Sequence, residues 1–363
     1  MLLSGKGFWI WIIRRCEGGI PSAIANAAQA AGYTHVPVKI ADGSDPQNLD
    51  PASGADLVPA VTQELRARGI QVWGWHYVYG DDPRAEAAMA IARLSALNLD
   101  GYIIDAEQEY KLPGREQAAR LFMSEMRKAF PNLPMALSSY RFPTYHPQLP
   151  WSAFLEKCDL NMPQVYWEQA HNPAEQLARS VNELLALNPS RPVIPTGPTY
   201  KVSGWRPTEE DILEFLNKAK ELNLLAANFF SWDECRRDLP NLWTVISNFN
   251  WNAPKDILLR YIDGLNAKDP QKMVILYQQD AVFATYINTL QGREQISQYY
   301  TSFFTSGVPN ASFTIQNMTG TGSTRQLNWK AVSTNGKTYM GSDTFGILND
   351  LITYHYSSYN SVP

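Results

Sequence analysis

Asp100-Gly101-Tyr102-Ile103-Ile104-Asp105-Ala106-Glu107 is the stretch on which the reading of this chain turns. From Tyr102 to Ala106 it is apolar except for Asp105, and helical segments flank it, so it reads as a buried parallel strand. Strand side chains alternate between faces, which puts Ile103, Asp105 and Glu107 on one side. Two carboxylates therefore leave the end of a buried strand together. Ionised and adjacent, they are costly without partners or a task. One neutral acid beside one charged stabiliser or nucleophile is the pair that glycoside hydrolysis requires.

Outward from this strand, residues 7–251 alternate strand and helix patterns. Strands are expected at 8–13, 35–40, 71–79, 102–106, 135–139, 160–166, 193–196 and 226–232, with helices at 20–31, 57–68, 83–96, 115–129, 173–187 and 208–222. Pro21, Pro83 and Pro173 fall near helix starts, and Gly32 and Gly69 close two helices. Eight strands with crossovers in about 250 residues is the pattern of an α/β fold of the (β/α)8 TIM barrel type.

Near Asn252-Ala-Pro254 the pattern changes, and a domain boundary is expected there: residues 1–252 as the barrel, 253–363 as a smaller α+β domain. Helices at 254–267, 271–276 and 293–304 precede strands at 311–318, 326–334, 339–348 and 351–359, with Asn335-Gly336 as a hairpin turn. The last two strands carry too many apolar side chains for all to point inward, so an outer apolar face and a homodimer through this sheet are expected.

Composition bounds the partners. The 363 residues are 45% hydrophobic and 18% charged with net charge −4, which gives no reason to expect nucleic acid or a membrane as partner. Cys16, Cys158 and Cys235 show neither metal spacing nor a disulfide framework. His76 has no other histidine nearby in sequence, so no metal site is expected, and no phosphate loop or other cofactor motif is present. The apolar run 8–13 is too short for a signal peptide and leads into Arg14-Arg15, which favours the cytoplasm.

Three successive strand ends carry a resemblance. Lys39-Ile-Ala-Asp-Gly43, Gly74-Trp-His-Tyr77 and Asp105-Ala-Glu107 resemble the second, third and fourth strand ends of the family twenty-five lysozymes, a branch of the glycoside hydrolase barrels. Asp100, Gly101, Asp105 and Glu107 also match part of the family eighteen chitinase run, with Ile103 in place of its middle Asp. The resemblance implies hydrolysis of a glycan containing N-acetylhexosamine. Glu107 would be the general acid, and Asp105 would stabilise positive charge or orient an N-acetyl group. It departs at Gly7-Phe-Trp9, where Trp9 stands at the place of the lysozymes' first-strand Asp; this motivates a second expectation, a glycan-binding barrel without catalysis.

Tyr166, Gln164, Trp232, Lys39, Asp42, Tyr77, Tyr140 and Asp233 are the expected substrate contacts, with Asp42, Glu168 or Asp233 as a second catalytic carboxylate. A structural ion pair of the strand-end acids with Lys39 is the rival reading. Asp105 and Glu107 are expected to line the largest cleft, at the C-terminal face of the barrel.

The second domain resembles the nuclear transport factor two-like family, in its SnoaL-like branch, a cone-shaped fold with a pocket. The matching residues are 259–266 with Asp269, Leu276-Tyr277, 280–283, Gly292-Arg-Glu294, Gly341-Ser-Asp343 and Tyr354-His-Tyr356. The resemblance implies a pocket holding Asp343 and His355. A third expectation follows: small-molecule binding or dimerisation through this domain, with the barrel as scaffold.

Overall fold

The computed structural model describes residues 3–320 and 322–362, and the chain divides between Asn252 and Ala253 into two compact units. The first unit runs β1 Gly5–Phe8, α1 Pro21–Ala30, β2 His35–Asp42, β3 Asp45–Pro46, α2 Val58–Ala67, β4 Gln71–Val78, α3 Pro83–Leu97 and β5 Gly101–Ala106. It continues with α4 Arg115–Ala129, β6 Met135–Tyr140, α5 Trp151–Leu155, β7 Leu160–Gln164, α6 Pro173–Leu185, β8 Thr196–Pro198, α7 Glu209–Glu221, β9 Ala226–Phe230, α8 Trp232–Asp238 and α9 Pro240–Asn248.

Apart from the two-residue β3, the strands of this unit pair in parallel in the order β1-β9-β8-β7-β6-β5-β4-β2. β1 also pairs with β2, so the sheet closes into the expected eight-stranded barrel. Trp73, Trp75, Ile103, Ala136, Leu160, Met162, Ile194 and Ala226 fill the barrel interior, and a larger apolar layer lies between strands and helices. Gly101 of the opening stretch is needed for this filling, because a Cβ there would come within 2.4 Å of the Trp73 ring.

The first strand differs from its expected place at 8–13. It ends at Phe8, Ile10 adds a single bridge to Val38, and Ile13 opens a 3-10 turn. Gly5-Lys6-Gly7 has a poor strand composition, but each of its last two residues has a reason to be there. A Cβ at Gly7 would lie 2.3 Å from His35 Nε2. Lys6, 3% exposed, donates from Nζ to the carbonyls of Ile246, Ser247 and Phe249 at 2.6, 3.0 and 2.8 Å. A cation there complements the C-terminal end of α9, while burial lowers the lysine pKa to about 8.

The second unit runs α10 Ile257–Ala267, α11 Pro270–Val274, β10 Tyr277–Ala284, β11 Thr289–Gln291, α12 Gly292–Ser302, β12 Ala311–Thr319, β13 Thr324–Ser333, β14 Thr338–Leu348 and β15 Leu351–Val362. Its sheet has the order β11-β10-β15-β14-β13-β12. β10 was not expected, because Gln278-Gln279-Asp280 interrupts its apolar pattern; its pairing with β15 carries a register shift at that place. Helices and one sheet face enclose a core containing Tyr261, Tyr277, Phe283, Tyr300 and Trp329. Cys16, Cys158 and Cys235 are buried and unbridged. Among the described residues no helix is long and apolar enough to cross a membrane.

Candidate active site at the barrel mouth

The C-terminal ends of the barrel strands converge on a cavity of about 390 Å³. β2 supplies Lys39 and Asp42; β4 and the residue after it supply Trp75, Tyr77 and Tyr79; β5 and the turn after it supply Asp105, Glu107 and Glu109. Ser138, Gln164, Tyr166, Thr196 and Phe230 come from the next four strand ends, and Trp9 and Trp11 follow β1. A larger groove of 870 Å³ lies at the opposite end of the strands, among Arg127, Pro134, Asp159 and Arg191. The expectation that the acids line the largest cleft is thus corrected: they line the smaller, aromatic-walled one. Conservation aside, barrel chemistry sits on the C-terminal face.

Alternation along the strands puts Trp75, Asp105, Met162 and Gln164 into the barrel and His76 outside it. His76 is fully buried between the Tyr102 hydroxyl and the Gly43 carbonyl, 2.7 Å from each, and burial lowers its pKa to about 4. A neutral imidazole so engaged is a packing element.

Gln164 ties the two acids together. Its Nε2 donates to Asp105 Oδ1 at 3.0 Å and to Glu107 Oε1 at 2.8 Å. Burial pushes the Asp105 carboxyl well above the carboxylate range, and the charge of Glu107 pushes it further; hydrogen bonds from Ser138 and Gln164 oppose this. Burial also raises Glu107. The pair therefore holds a proton at a pH where an exposed carboxyl has lost it.

The other two carboxylates are placed differently. Burial raises the Asp42 pKa, but hydrogen bonds from Lys39 at 2.5 Å and from Tyr79 at 2.7 Å together hold it below the usual value. Lys39 thus pairs with Asp42 and not with the β5 acids, and its Nζ lies 4.8 Å from the Trp75 ring centre and 5.5 Å from that of Trp11. Glu109 accepts a 2.7 Å hydrogen bond from the Tyr77 hydroxyl. Phe230 joins the aromatic wall, with ring centres 6.1–6.4 Å from Trp9, Trp11, Trp75, Tyr166 and Tyr200.

Of the expected residues, Asp105, Glu107, Gln164, Tyr166, Lys39, Asp42 and Tyr77 meet in this cavity. Trp232 does not. β9 ends at Phe230, Ser231 stands just before α8, and Trp232 is buried against Phe8, Tyr33 and Trp243. Asp233, in the first turn of α8 and 4% exposed, sits near Arg15 and Arg237 at 4.0 and 3.9 Å, away from the cavity lining. Tyr140 stacks on His146 at 3.7 Å, has the Lys111 ammonium 4.3 Å from its ring centre, and does not line the cavity. Glu168 pairs with the Tyr200 hydroxyl outside it.

Glu109, Trp11, Tyr79, Ser138, Thr196 and Phe230 were missed. Tyr79 could have been found by alternation from Tyr77 within the expected strand at 71–79, whereas Glu109 lies in the 3-10 turn Gln108–Lys111, beyond the reach of strand alternation. Phe230 shares its strand face with Asn228, and only the strand's early end separates it from the Trp232 reading.

In the second unit, Asp343 and His355 are both fully buried and lie close together inside the core. Trp329 Nε1 donates to Asp343 Oδ2 at 2.7 Å, and His355 Nδ1 lies 2.7 Å from the Tyr277 hydroxyl. Asp343 Oδ1 and His355 Nε2 are 3.5 Å apart, and the imidazole is stacked between Phe283 and Phe345 at 4.4 Å from each.

Residues 258–355 match the family model of the SnoaL-like domain, so the second unit is a SnoaL-like domain. Solved structures are similar to part of the chain. One is a Catenulispora acidiphila protein with a ketosteroid isomerase-like fold, in complex with trimethylamine, at 16% identity over 28% of this chain and 84% of its own, TM-score 0.26. Another is an NTF2-like protein from Cytophaga hutchinsonii at 18% identity over 29% and 88%, TM-score 0.24. A third, from Methylobium petroleophilum with a cystatin-like fold, has 21% identity over 30% and 75%, TM-score 0.26. No curated protein matches the chain.

Proposed function

We propose that the barrel hydrolyses a glycosidic bond in a glycan containing N-acetylhexosamine, with Glu107 as general acid. The observation that carries the reading is the Gln164 bridge between Asp105 and Glu107 inside an aromatic-walled cavity. Burial and mutual repulsion keep a proton on the pair. Glu107 is its more exposed member and delivers that proton to the glycosidic oxygen, which leaves with the bonding electrons. The two acids share one proton through their coupling, so Asp105 is ionised when that proton is on Glu107 and then stabilises the positive charge that develops on the ring. Water then bonds to the anomeric carbon, and its proton returns to a carboxylate. Trp75, Tyr166 and Phe230 offer flat apolar faces to sugar rings.

Glu107→Gln keeps the shape and removes the transferable proton. On chitooligosaccharides or peptidoglycan it lowers the rate by roughly 10²–10⁴-fold, the usual range for a lost general acid. Equal rates for wild type and variant, or a wild type inert on every glycan offered, reject the role.

Trp9 favours a second reading, a glycan-binding barrel without catalysis. It occupies the cavity wall where the lysozyme resemblance calls for an Asp. Wild-type binding of chitooligosaccharides without cleavage would favour it.

A further inference from the structure

We propose that the glycan held at the barrel mouth carries a free, protonated 2-amino group, and that Glu109 is its partner. The inference rests on the glycan reading of the same cavity and narrows it: a partly unacetylated hexosamine polymer, not a fully acetylated or an anionic one.

Charge is the first argument. Asp42, Asp105, Glu107 and Glu109 line the cavity with one basic side chain, Lys39, whose ammonium is taken by Asp42 at 2.5 Å. Among the described residues none of Asp105, Glu107 and Glu109 has a Lys, Arg or His partner within ion-pair distance. Lys111, whose field acts on Glu107, lies over the Tyr140 ring and 3.3 Å from His146 Nδ1. A cation entering this cavity meets uncompensated negative charge, and a carboxylate- or sulfate-bearing sugar meets repulsion.

Independent features point to a ligand. Trp9 and Thr196 line the cavity, are 3% and 1% exposed, and carry an indole N–H and a hydroxyl with no hydrogen-bond partner. Buried polar groups left so are rare and call for a partner from outside the chain. The aromatic walls already accommodate an ammonium, since Lys39 Nζ sits over Trp75 and Trp11. Glu109 is the acid best set to receive another. The Tyr77 hydroxyl fixes one oxygen at 2.7 Å, and Asp105 and Glu107 are joined through Gln164 for chemistry.

The test titrates the full chain with the glucosamine tetrasaccharide and with its fully N-acetylated counterpart, following the fluorescence of the cavity tryptophans. The amine form binds about tenfold more tightly at low salt, the size of one charge-assisted hydrogen bond, and this advantage shrinks as salt is added. Glu109→Gln removes about that factor for the amine form and weakens the acetylated form far less, so the preference between the two sugars is lost. Equal or tighter binding of the acetylated form, or equal weakening of both by Glu109→Gln, overturns the proposal. Cleavage is read on the same samples. Amine-selective binding without cleavage keeps the charge assignment and rejects catalysis. Cleavage without amine selectivity does the reverse, and binding of neither sugar rejects both.

Discussion

Asp105 with Glu107 in the barrel and Asp343 with His355 in the SnoaL-like domain are both buried ionisable pairs, but their surroundings differ. The barrel pair sits at the end of β5, with Asp105 in the strand and Glu107 just after it, bridged by a neutral amide, with Glu107 half-buried on a cavity wall. Asp343 and His355 sit in the middle of β14 and β15, with both side chains at 0% exposure and stacked aromatics on either side of the imidazole. Acids at a strand end line an open cavity; an acid and an imidazole at mid-strand face the core. Position along the strand, more than residue identity, separates a pair on a cavity wall from a pair enclosed in the core.

That contrast can be broken by substitution. The largest effect is expected from Glu107→Gln, the 10²–10⁴-fold rate loss above with an unchanged thermal midpoint. A midpoint lowered as strongly as the rate would make Glu107 structural as well. Asp343→Ala is expected to behave in the opposite way. It strips the Trp329 indole N–H of its acceptor inside the core, so unfolding of the C-terminal domain should become easier by about 3 kcal/mol while barrel-mouth glycan binding persists. Denaturant unfolding and a sugar titration on one sample check both halves.

A third effect concerns pH. Asp105 is an acid whose pKa is raised on folding by burial and by Glu107. The folded state therefore holds more protons than the unfolded one above the ordinary carboxylate pKa, and barrel stability declines as pH rises through that window. Asp105→Asn removes the decline. It is expected to raise the barrel's melting temperature at neutral pH by about 2–4 °C for each kcal/mol recovered, with no gain at pH 3. A gain that is the same at both pH values would show that charge burial is not its cause.

The smallest effect concerns the outer sheet face, where Val332, Met340, Tyr354 and Tyr356 are 38–43% exposed. Such a patch is expected to mediate self-association of the full chain. Replacing Tyr354 and Tyr356 together by Lys should weaken it about tenfold, a loss of about 1.4 kcal/mol, by sedimentation. A wild type monomeric at high micromolar concentration would remove the prediction.

Legibility in the sequence followed the same line between strand interiors and strand ends. The barrel was readable because buried parallel strands and amphipathic helices alternate with little interruption, and Asp105, Glu107 and Gln164 obeyed simple alternation. Trp232 was misplaced because nothing local in Phe230-Ser231-Trp232 marks where pairing stops and α8 starts. Alternation also fails across β15. The pairing slips between Gly346–Tyr354 and Ile347–Ile352, leaving Thr353 as an extra residue, so Ile352 is buried and Tyr354 exposed although they are two apart. Lys6 was not legible at all, since its partners lie 240 residues or more away in sequence.

Those partners bear on the order in which the barrel assembles. β1 takes its full set of neighbours only when β9 arrives, and Lys6 is satisfied only when the carbonyls at the end of α9, through Phe249, are in place. Contacts of such long range are slow to form, because the intervening loop must close first. During synthesis the first strand therefore waits, with one edge unpaired and a lysine without acceptors, until nearly the whole barrel sequence has been made. Closure of the ring cannot precede synthesis of β9 and α9, and Lys6 ties the first strand to the segment that completes it.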